Sequence, residues 1–152
     1  MKNNIGFKDF LQIAIVVKDI EKAAQKWAEI LNVPVPEIRV DTPSYNPQLT
    51  YRGKEAFYGL KLAVIMSEER GIMIELHEPL EGESTFREFI EKHGNGVHHL
   101  GFIVGDRRDA VVEEFEEMGY PIRTLGYYPG SSWTILDTED DLGVNLNIKP
   151  RD

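Results

Sequence analysis

Four polar side chains interrupt segments that are otherwise apolar, and their types are those that transfer protons or bind cations. They are Gln12, Glu75, His99 and Asn147. A carboxylate such as Glu75 is unfavourable inside an apolar strand unless a partner compensates its charge. Brought together by the fold, the four groups could satisfy one another by hydrogen bonding, or they could bind a cation.

An internal repeat predicts that these four positions converge. Two pairs of segments align without a gap, residues 12–19 with 99–106 and residues 71–76 with 143–148. The first alignment equates Gln12 with His99, and the second equates Glu75 with Asn147. A duplicated sheet module buries its apolar face most simply by pairing with its copy, so equivalent inward-facing positions meet near a pseudo-twofold axis.

Each copy of the repeat is predicted to form a β-α-β-β-β module. Apolar runs rich in β-branched residues predict buried first strands at residues 10–17 and 98–104. Asp19 and Asp106 follow these runs and are predicted to N-cap a helix. Three further strands are predicted in each copy, at residues 37–40, 58–66 and 72–77 and at residues 122–126, 133–137 and 144–149.

The predicted fold class is therefore α+β, with two pseudo-symmetric modules that form a curved mixed sheet around a central cavity. The modules cover about residues 9–77 and 98–149 of a single domain, residues 1–152. A linker helix is predicted at about residues 84–93, lying over the sheet. Thr85 and Glu88 fit a capping box at its start.

A polar, turn-rich segment at residues 41–58 is present only in the first copy. It carries four aromatic residues, Tyr45, Tyr51, Phe57 and Tyr58. Loops of this length are often lids or binding loops, and aromatic side chains at a cavity mouth suit a small organic ligand. The alternative, in which these side chains cover the surface or a subunit interface, is equally compatible with the sequence.

The composition excludes several classes of function. The 152 residues carry 17 Lys and Arg against 26 Asp and Glu, a formal net charge of −9, which disfavours binding to nucleic acid or to anionic membranes. The absence of cysteine excludes disulfides, thiolate metal sites and cysteine nucleophiles. No run approaches the ~20 apolar residues of a membrane span, and residues 1–4 lead into no signal peptide, so a cytoplasmic location is predicted.

Three stretches carry a resemblance to a known family, namely residues 13–23, 74–80 and 92–100. The chain resembles the vicinal oxygen chelate superfamily, which includes glyoxalase I, methylmalonyl-CoA epimerase and the bleomycin-resistance binding proteins. The epimerase branch is the most similar. The resemblance implies a homodimer and a divalent metal ion held by Gln12, Glu75, His99 and Asn147. The mixed nitrogen and oxygen donors would suit Zn, Ni, Co, Mn or Fe(II).

Two positions depart from the pattern of the families resembled. Gln12 stands where the epimerases carry His, although glyoxalase I has Gln there. Asn147 stands where both families carry a Glu that serves as a ligand and as a base. An amide oxygen can coordinate an ion but cannot accept a proton at neutral pH, so metal binding is expected to be weaker and the usual base is missing.

The resulting functional hypothesis is a metal-dependent isomerase or lyase that transfers a proton alpha to the carbonyl of a small organic substrate. Glu75 is the only acidic residue of the set and is therefore the predicted base. The alternative is a metal-independent binding protein of the bleomycin-resistance type. His77 is expected to share the face of Glu75, and substrate contact is one alternative role for it. Strand alternation places His98 on the face opposite to His99.

Overall fold

The computed structural model describes residues 5–41, 48–128 and 130–151. Its strands are β1 (Phe10–Val16), β2 (Arg39–Asp41), β3 (Thr50–Tyr51), β4 (Lys54–Glu55), β5 (Leu60–Ser67), β6 (Ile72–Pro79), β7 (Gly96–Ile103), β8 (Ile122–Tyr128), β9 (Ser131–Leu136) and β10 (Asn145–Lys149). Its helices are α1 (Ile20–Leu31), α2 (Thr85–His93), α3 (Arg108–Glu117) and α4 (Glu139–Leu142). The predicted β-α-β-β-β order is therefore confirmed in both copies, with β3, β4 and α4 added to it.

All ten strands form one strongly curled mixed sheet in the order β2-β5-β6-β1-β7-β10-β9-β8-β3-β4. The two modules pair within the chain, because the antiparallel contact between β1 and β7 joins them at the centre of the sheet. The first and last strands of each module lie side by side, in the order β6-β1-β7-β10. The predicted α+β class and the curved sheet built from two modules are thus confirmed.

Helices α1 and α3 cover one face of the sheet, which we call the outer face. Ile20 and Ala24 of α1 pack against Leu76 of β6, and α3 packs in the same way against Leu146 and Ile148 of β10. The apolar stripe of each helix is thereby buried, which supplies most of the stability of such amphipathic helices.

Helix α2 packs on the opposite face, which we call the inner face. Phe86 and Phe89 of α2 form one apolar cluster with Val16 of β1 and Ile135 of β9. The prediction that the linker helix lies over the sheet is confirmed, but its predicted cap is wrong. Ser84 is the N-cap, since its side chain accepts a hydrogen bond from the backbone N–H of Arg87.

Of the two aspartate residues predicted to N-cap a helix, only Asp19 does so. Asp19 caps α1, because its side chain accepts from the backbone N–H of Lys22 at 3.0 Å. Asp106 does not cap α3: it lies within a single 3-10 turn, Gly105–Arg107, and α3 begins after that turn without a side-chain cap. The extra turn separates Asp106 from the free N–H groups of the helix.

The segment found only in the first copy crosses to the other module. Its strands β3 and β4 form a hairpin, and β3 pairs with the edge strand β8 of module two. We call residues 48–55 the crossing hairpin. Leu49 within the hairpin and Tyr58 after it are buried in the inner-face cluster, whereas Phe57 is largely exposed. Tyr45 lies outside the described residues.

Candidate functional site

The neighbouring strands β6, β1, β7 and β10 place the predicted site residues on the inner face. Ala14 of β1 pairs with Glu75 of β6 on one side and with His99 of β7 on the other. Gly101 of β7 pairs with Gln12 on one side and with Asn147 of β10 on the other. Because directly paired residues and residues two apart share a face of a sheet, all four polar side chains project to the inner face.

Gly101 provides the space in which three of these side chains meet. A Cβ atom at position 101 would lie 2.7 Å from the Cβ of Gln12, so only glycine leaves room for the Gln12 side chain over β7. Gln12 Nε2 donates to Glu75 Oε2 at 2.5 Å, and Asn147 Nδ2 donates to Gln12 Oε1 at 3.5 Å. A line of hydrogen bonds therefore runs from β10 across β7 and β1 to β6.

Glu75 is a carboxylate held between two partners, and its side chain is 13% exposed. Its Oε2 accepts from Gln12, and its Oε1 lies 2.9 Å from Nε2 of His77. Burial raises the pKa of Glu75, but His77, with smaller contributions from His99 and Lys149, outweighs burial and holds this pKa at about 2. Glu75 is consequently ionised at neutral pH.

His77 shares the face of Glu75, as predicted. Its ring stacks on Phe86 of α2, with the ring centroids 5.2 Å apart and the planes at 12°. The His77 side chain is only 6% exposed. Helix α2 thus fixes the ring that contacts the carboxylate.

His98 is not on the face opposite to His99. The pairing of β1 with β7 shifts its register between Ala14 and Ile15, which interrupts the strict alternation of β7 at this point. Both rings therefore contact Phe86, with centroid distances of 4.8 Å for His98 and 6.4 Å for His99. Both imidazoles are almost completely buried, and burial lowers the pKa of each well below its usual value.

Lys149 is a member of the site that the sequence reasoning missed. It follows Asn147 by two residues on β10 and therefore shares its face. It is 8% exposed, and its charge contributes to lowering the pKa of both Glu75 and His99. Counting along β10 in steps of two from Asn147 is the sequence signal that would have found it.

Two other groups of charged residues lie apart from this polar line. Within the described residues, one cluster of three acidic or histidine side chains, Asp19, Glu21 and Glu78, has ligand atoms all within 4.8 Å of one another. Lys61 forms ion pairs with two of them, so the cluster is already neutralised in part. A separate cleft of about 420 Å³ beside the crossing hairpin is lined by residues that include Arg52, Arg123 and Asp137.

A family model described as the glyoxalase/bleomycin resistance protein/dioxygenase superfamily matches residues 11–136. The chain belongs to this superfamily. No curated protein sequence gives a significant match. In the described part of the chain, no helix combines the length and the apolar character needed to cross a bilayer.

Solved structures of this superfamily share the fold of the chain at low sequence identity. The Mycobacterium tuberculosis methylmalonyl-CoA epimerase has 19% identity and a TM-score of 0.68, over 95% of this chain and 88% of that one. A hypothetical protein from Bacillus halodurans has 23% identity and a TM-score of 0.64, over 92% and 91%. A Streptomyces coelicolor methylmalonyl-CoA epimerase variant in complex with 2-nitronate-propionyl-CoA has 18% identity and a TM-score of 0.63, over 96% and 97%.

Members of the glyoxalase/bleomycin resistance protein/dioxygenase superfamily commonly bind a divalent metal ion, and the donors of this chain fit such an ion in type. One carboxylate, one imidazole and two amide oxygens are ordinary ligands of divalent metals. Asn147 Oδ1 accepts from the backbone N–H of Thr134 at 3.0 Å and keeps a second lone pair. Gln12 presents its nitrogen to Glu75, so its amide would have to turn over to offer the oxygen. The nearby charge of Lys149 further lowers the affinity for a cation.

Proposed function

We propose that this chain is an isomerase of the epimerase or glyoxalase type, which moves a proton at a carbon next to a carbonyl group. The observation that carries the proposal is the ionised carboxylate of Glu75 on the inner face, whose side chain is only 13% exposed. It lies in a fold shared with methylmalonyl-CoA epimerases. A carboxylate that is largely shielded from water and held by fixed partners suits proton transfer to and from carbon.

Glu75 is the proposed proton acceptor. With its pKa at about 2, the resting carboxylate is a weak base, because its partners stabilise the ionised form. A substrate that takes the place of the His77 contact removes the largest of these stabilising interactions, while burial continues to raise the pKa. Binding of the substrate therefore increases the basicity of Glu75 at the moment when a base is needed.

Gln12, Glu75, His99 and Asn147 are the proposed ligands of a divalent ion. When bound, the ion supplies Lewis-acid polarisation of the substrate carbonyl. Zn, Ni, Co, Mn and Fe(II) all match the mixed donors. In the absence of an ion, Gln12 and Asn147 hold the carboxylate in place through the line of hydrogen bonds described above.

Proton exchange in heavy water tests the proposal directly. The full-length protein is chelated, reconstituted with each divalent metal in turn, and incubated in D2O with methylmalonyl-CoA as the first probe. We expect mass spectrometry to detect exchange of the alpha proton. The exchange rate of Glu75→Gln is expected to be at least about 100-fold lower than that of the wild type.

The control for this experiment is Glu81→Gln, which removes an exposed carboxylate between β6 and α2. It is expected to exchange at the wild-type rate. His99→Ala is expected to lower both the metal content and the exchange rate. A protein whose metal content and exchange are unchanged in both Glu75→Gln and His99→Ala refutes the assignment.

A second candidate function is metal-independent binding of a small organic molecule, as in the bleomycin-resistance proteins. The observation that favours it is that Gln12, Glu75 and Asn147 already satisfy one another by hydrogen bonding. Thermal unfolding separates the two candidates. Stabilisation by divalent ions supports the isomerase, whereas stabilisation by aromatic compounds alone supports the binding protein. The homodimer and the cytoplasmic location stay predictions.

A further inference from the structure

Helix α2 covers only part of the inner face along strand β5. Leu60 and Leu62 of β5 are buried, and Leu60 belongs to the apolar cluster around Phe86 of α2. The next two residues of β5 on the same face, Val64 and Met66, are 37% and 45% exposed. The cover that α2 provides therefore ends between Leu62 and Val64.

The carboxylate of Glu75 lies at this boundary. Along the pairing of β5 with β6, Leu62 is opposite His77, and Val64 is opposite Glu75. Residues that face each other across antiparallel strands have Cβ atoms about 4.5–5.5 Å apart, so Val64 is an immediate neighbour of Glu75. A molecule bound on the uncovered side of the boundary can thus contact both side chains.

Three apolar side chains form the uncovered surface next to Glu75. Met66 pairs with Met73 of β6, and Met73 pairs with Gln12 of β1, so both methionines lie on the inner face beyond Val64. Met73 is partly exposed. We call Val64, Met66 and Met73 the apolar wall. Valine forms no side-chain hydrogen bond, and the flexible thioether of methionine is only a weak acceptor, so the wall favours hydrocarbon over polar groups.

We infer that the apolar wall binds the hydrocarbon chain of an aliphatic acyl compound, whose carbonyl group and adjacent carbon then lie beside Glu75. This substrate class rests on the proposed function. Val64, as the neighbour of Glu75, limits the size of the group on the reacting carbon. A second copy of the chain fits less well, because three partly exposed side chains offer far less area than the roughly 800 Å² per partner of a standard interface.

Nuclear magnetic resonance of the full chain labelled with ¹³C at the methionine methyl groups tests the inference without metal or turnover. The probes are neutral N-acetylcysteamine thioesters with acetyl, butyryl and hexanoyl chains. We expect saturable shifts of the Met66 and Met73 signals and binding that tightens by up to about fourfold for each added methylene. Met118, exposed at the end of α3, is the internal control and should not shift. Unchanged Met66 and Met73 signals, or equal affinities for the acetyl and hexanoyl probes, would overturn the inference.

A substitution at Val64 tests its contact with the acyl chain. Val64→Trp fills the space beside Glu75 and should weaken binding of the butyryl probe by at least about 10-fold. Val40→Trp is the matched control, because Val40 is an exposed valine of the neighbouring strand β2 that pairs with Lys61 and so lies on the outer face. It should bind the probe like the wild type. Unchanged binding in a folded Val64→Trp protein contradicts the role of Val64, and the wild-type titration locates the probe even where this variant does not fold.

Proton exchange of the same thioesters in D2O separates this inference from the proposed function. Shifts of Met66 and Met73 without exchange of the alpha proton would refute the isomerase and leave the wall as a hydrocarbon-binding site. Exchange without these shifts would refute the wall and leave the isomerase. Signals of Met66 and Met73 that change with protein concentration in the absence of a probe would indicate a second copy on the wall and overturn the inference.

Discussion

The position of Gln12 depends on a residue that has no side chain. Gln12 reaches Glu75 on one side and Asn147 on the other only because Gly101 lies beneath it on β7. Glycine in the interior of a strand usually weakens the strand, and it often marks a close approach of another group. Here the approaching group is the side chain of Gln12. The glycine weakens β7 at this point but leaves the space that Gln12 occupies.

Gly101→Ala is expected to displace Gln12 and break its hydrogen bonds to Glu75 and Asn147. The backbone at Gly101 tolerates alanine, so the effect arises from overlap with Gln12 alone. We expect a loss of about 1–3 kcal/mol in the free energy of unfolding. Urea unfolding followed by circular dichroism measures it.

The matched control is Gly96→Ala on the same strand. A Cβ atom there meets the ring of Phe89 at an ordinary contact distance of 3.4 Å, so the free energy of unfolding should change by less than about 0.5 kcal/mol. Equal losses in the two variants would show that β7 requires glycine for reasons unrelated to Gln12.

The sequence predicted the residues of the inner face better than the contacts among them. The internal repeat was enough to predict that Gln12, Glu75 and Asn147 share one face of the sheet, because strand alternation and duplication determine which side chains share a face. Lys149 follows from the same alternation but was overlooked. The orientation of His98 could not be predicted, since a register shift within a strand leaves no mark on the pattern of apolar residues.

At the scale of the elements, the two copies start their helices differently. Asp19 caps α1 directly, whereas a 3-10 turn separates Asp106 from α3. The two aspartates occupy equivalent positions of the repeat, and the sequence therefore predicts the same role for both. The difference depends on the backbone after each strand, which sequence similarity does not report.

Asp19→Ala is expected to destabilise the protein by about 1 kcal/mol, because the N–H of Lys22 loses its acceptor. Asp106→Ala is the matched control and should change the free energy of unfolding by less than about 0.5 kcal/mol. Chemical denaturation of both variants measures the difference. A large effect at Asp106 with none at Asp19 would reverse the assignment of the cap.

The longer strands were predictable and the crossing hairpin was not. Runs such as β5 and β6 are long enough to show their apolar character in the sequence. Strands β3 and β4 have two residues each, and their partner β8 is distant along the chain. A pairing of this kind is determined by the folded sheet edge rather than by local sequence.

At the scale of the whole molecule, the crossing hairpin ties module one to module two. The hydroxyl of Tyr58, which follows the hairpin, lies 2.6 Å from Oγ1 of Thr124 on β8. Thr124 in turn donates to the carbonyl of Thr50 on β3. Burial raises the pKa of Tyr58 from 10 to about 12.

This pKa predicts a loss of stability at high pH. The neutral phenol is favoured in the folded protein, so its contribution is fully present below pH 10 and is lost as the pH rises towards 12. The loss is on the order of 2–3 kcal/mol. Unfolding free energies between pH 9 and pH 12 should therefore fall less steeply in Tyr58→Phe than in the wild type.

Tyr127→Phe is the control for this comparison, because it removes the hydroxyl of a tyrosine that is 38% exposed. Its profile should follow that of the wild type over the same pH range. Parallel profiles for Tyr58→Phe and the wild type would mean that the hydroxyl of Tyr58 is accessible to water in solution.

The crossing hairpin also determines how the molecule would respond to cleavage. It belongs to the first half by chain order and to the second half by strand pairing. A single proteolytic cut before α2 would produce two fragments that remain joined by two strand pairs. One pair is β1 with β7, and the other is β3 with β8. Such a nicked protein should remain a folded complex. Excision of the hairpin should leave only the pairing of β1 with β7, so the two fragments should associate more weakly.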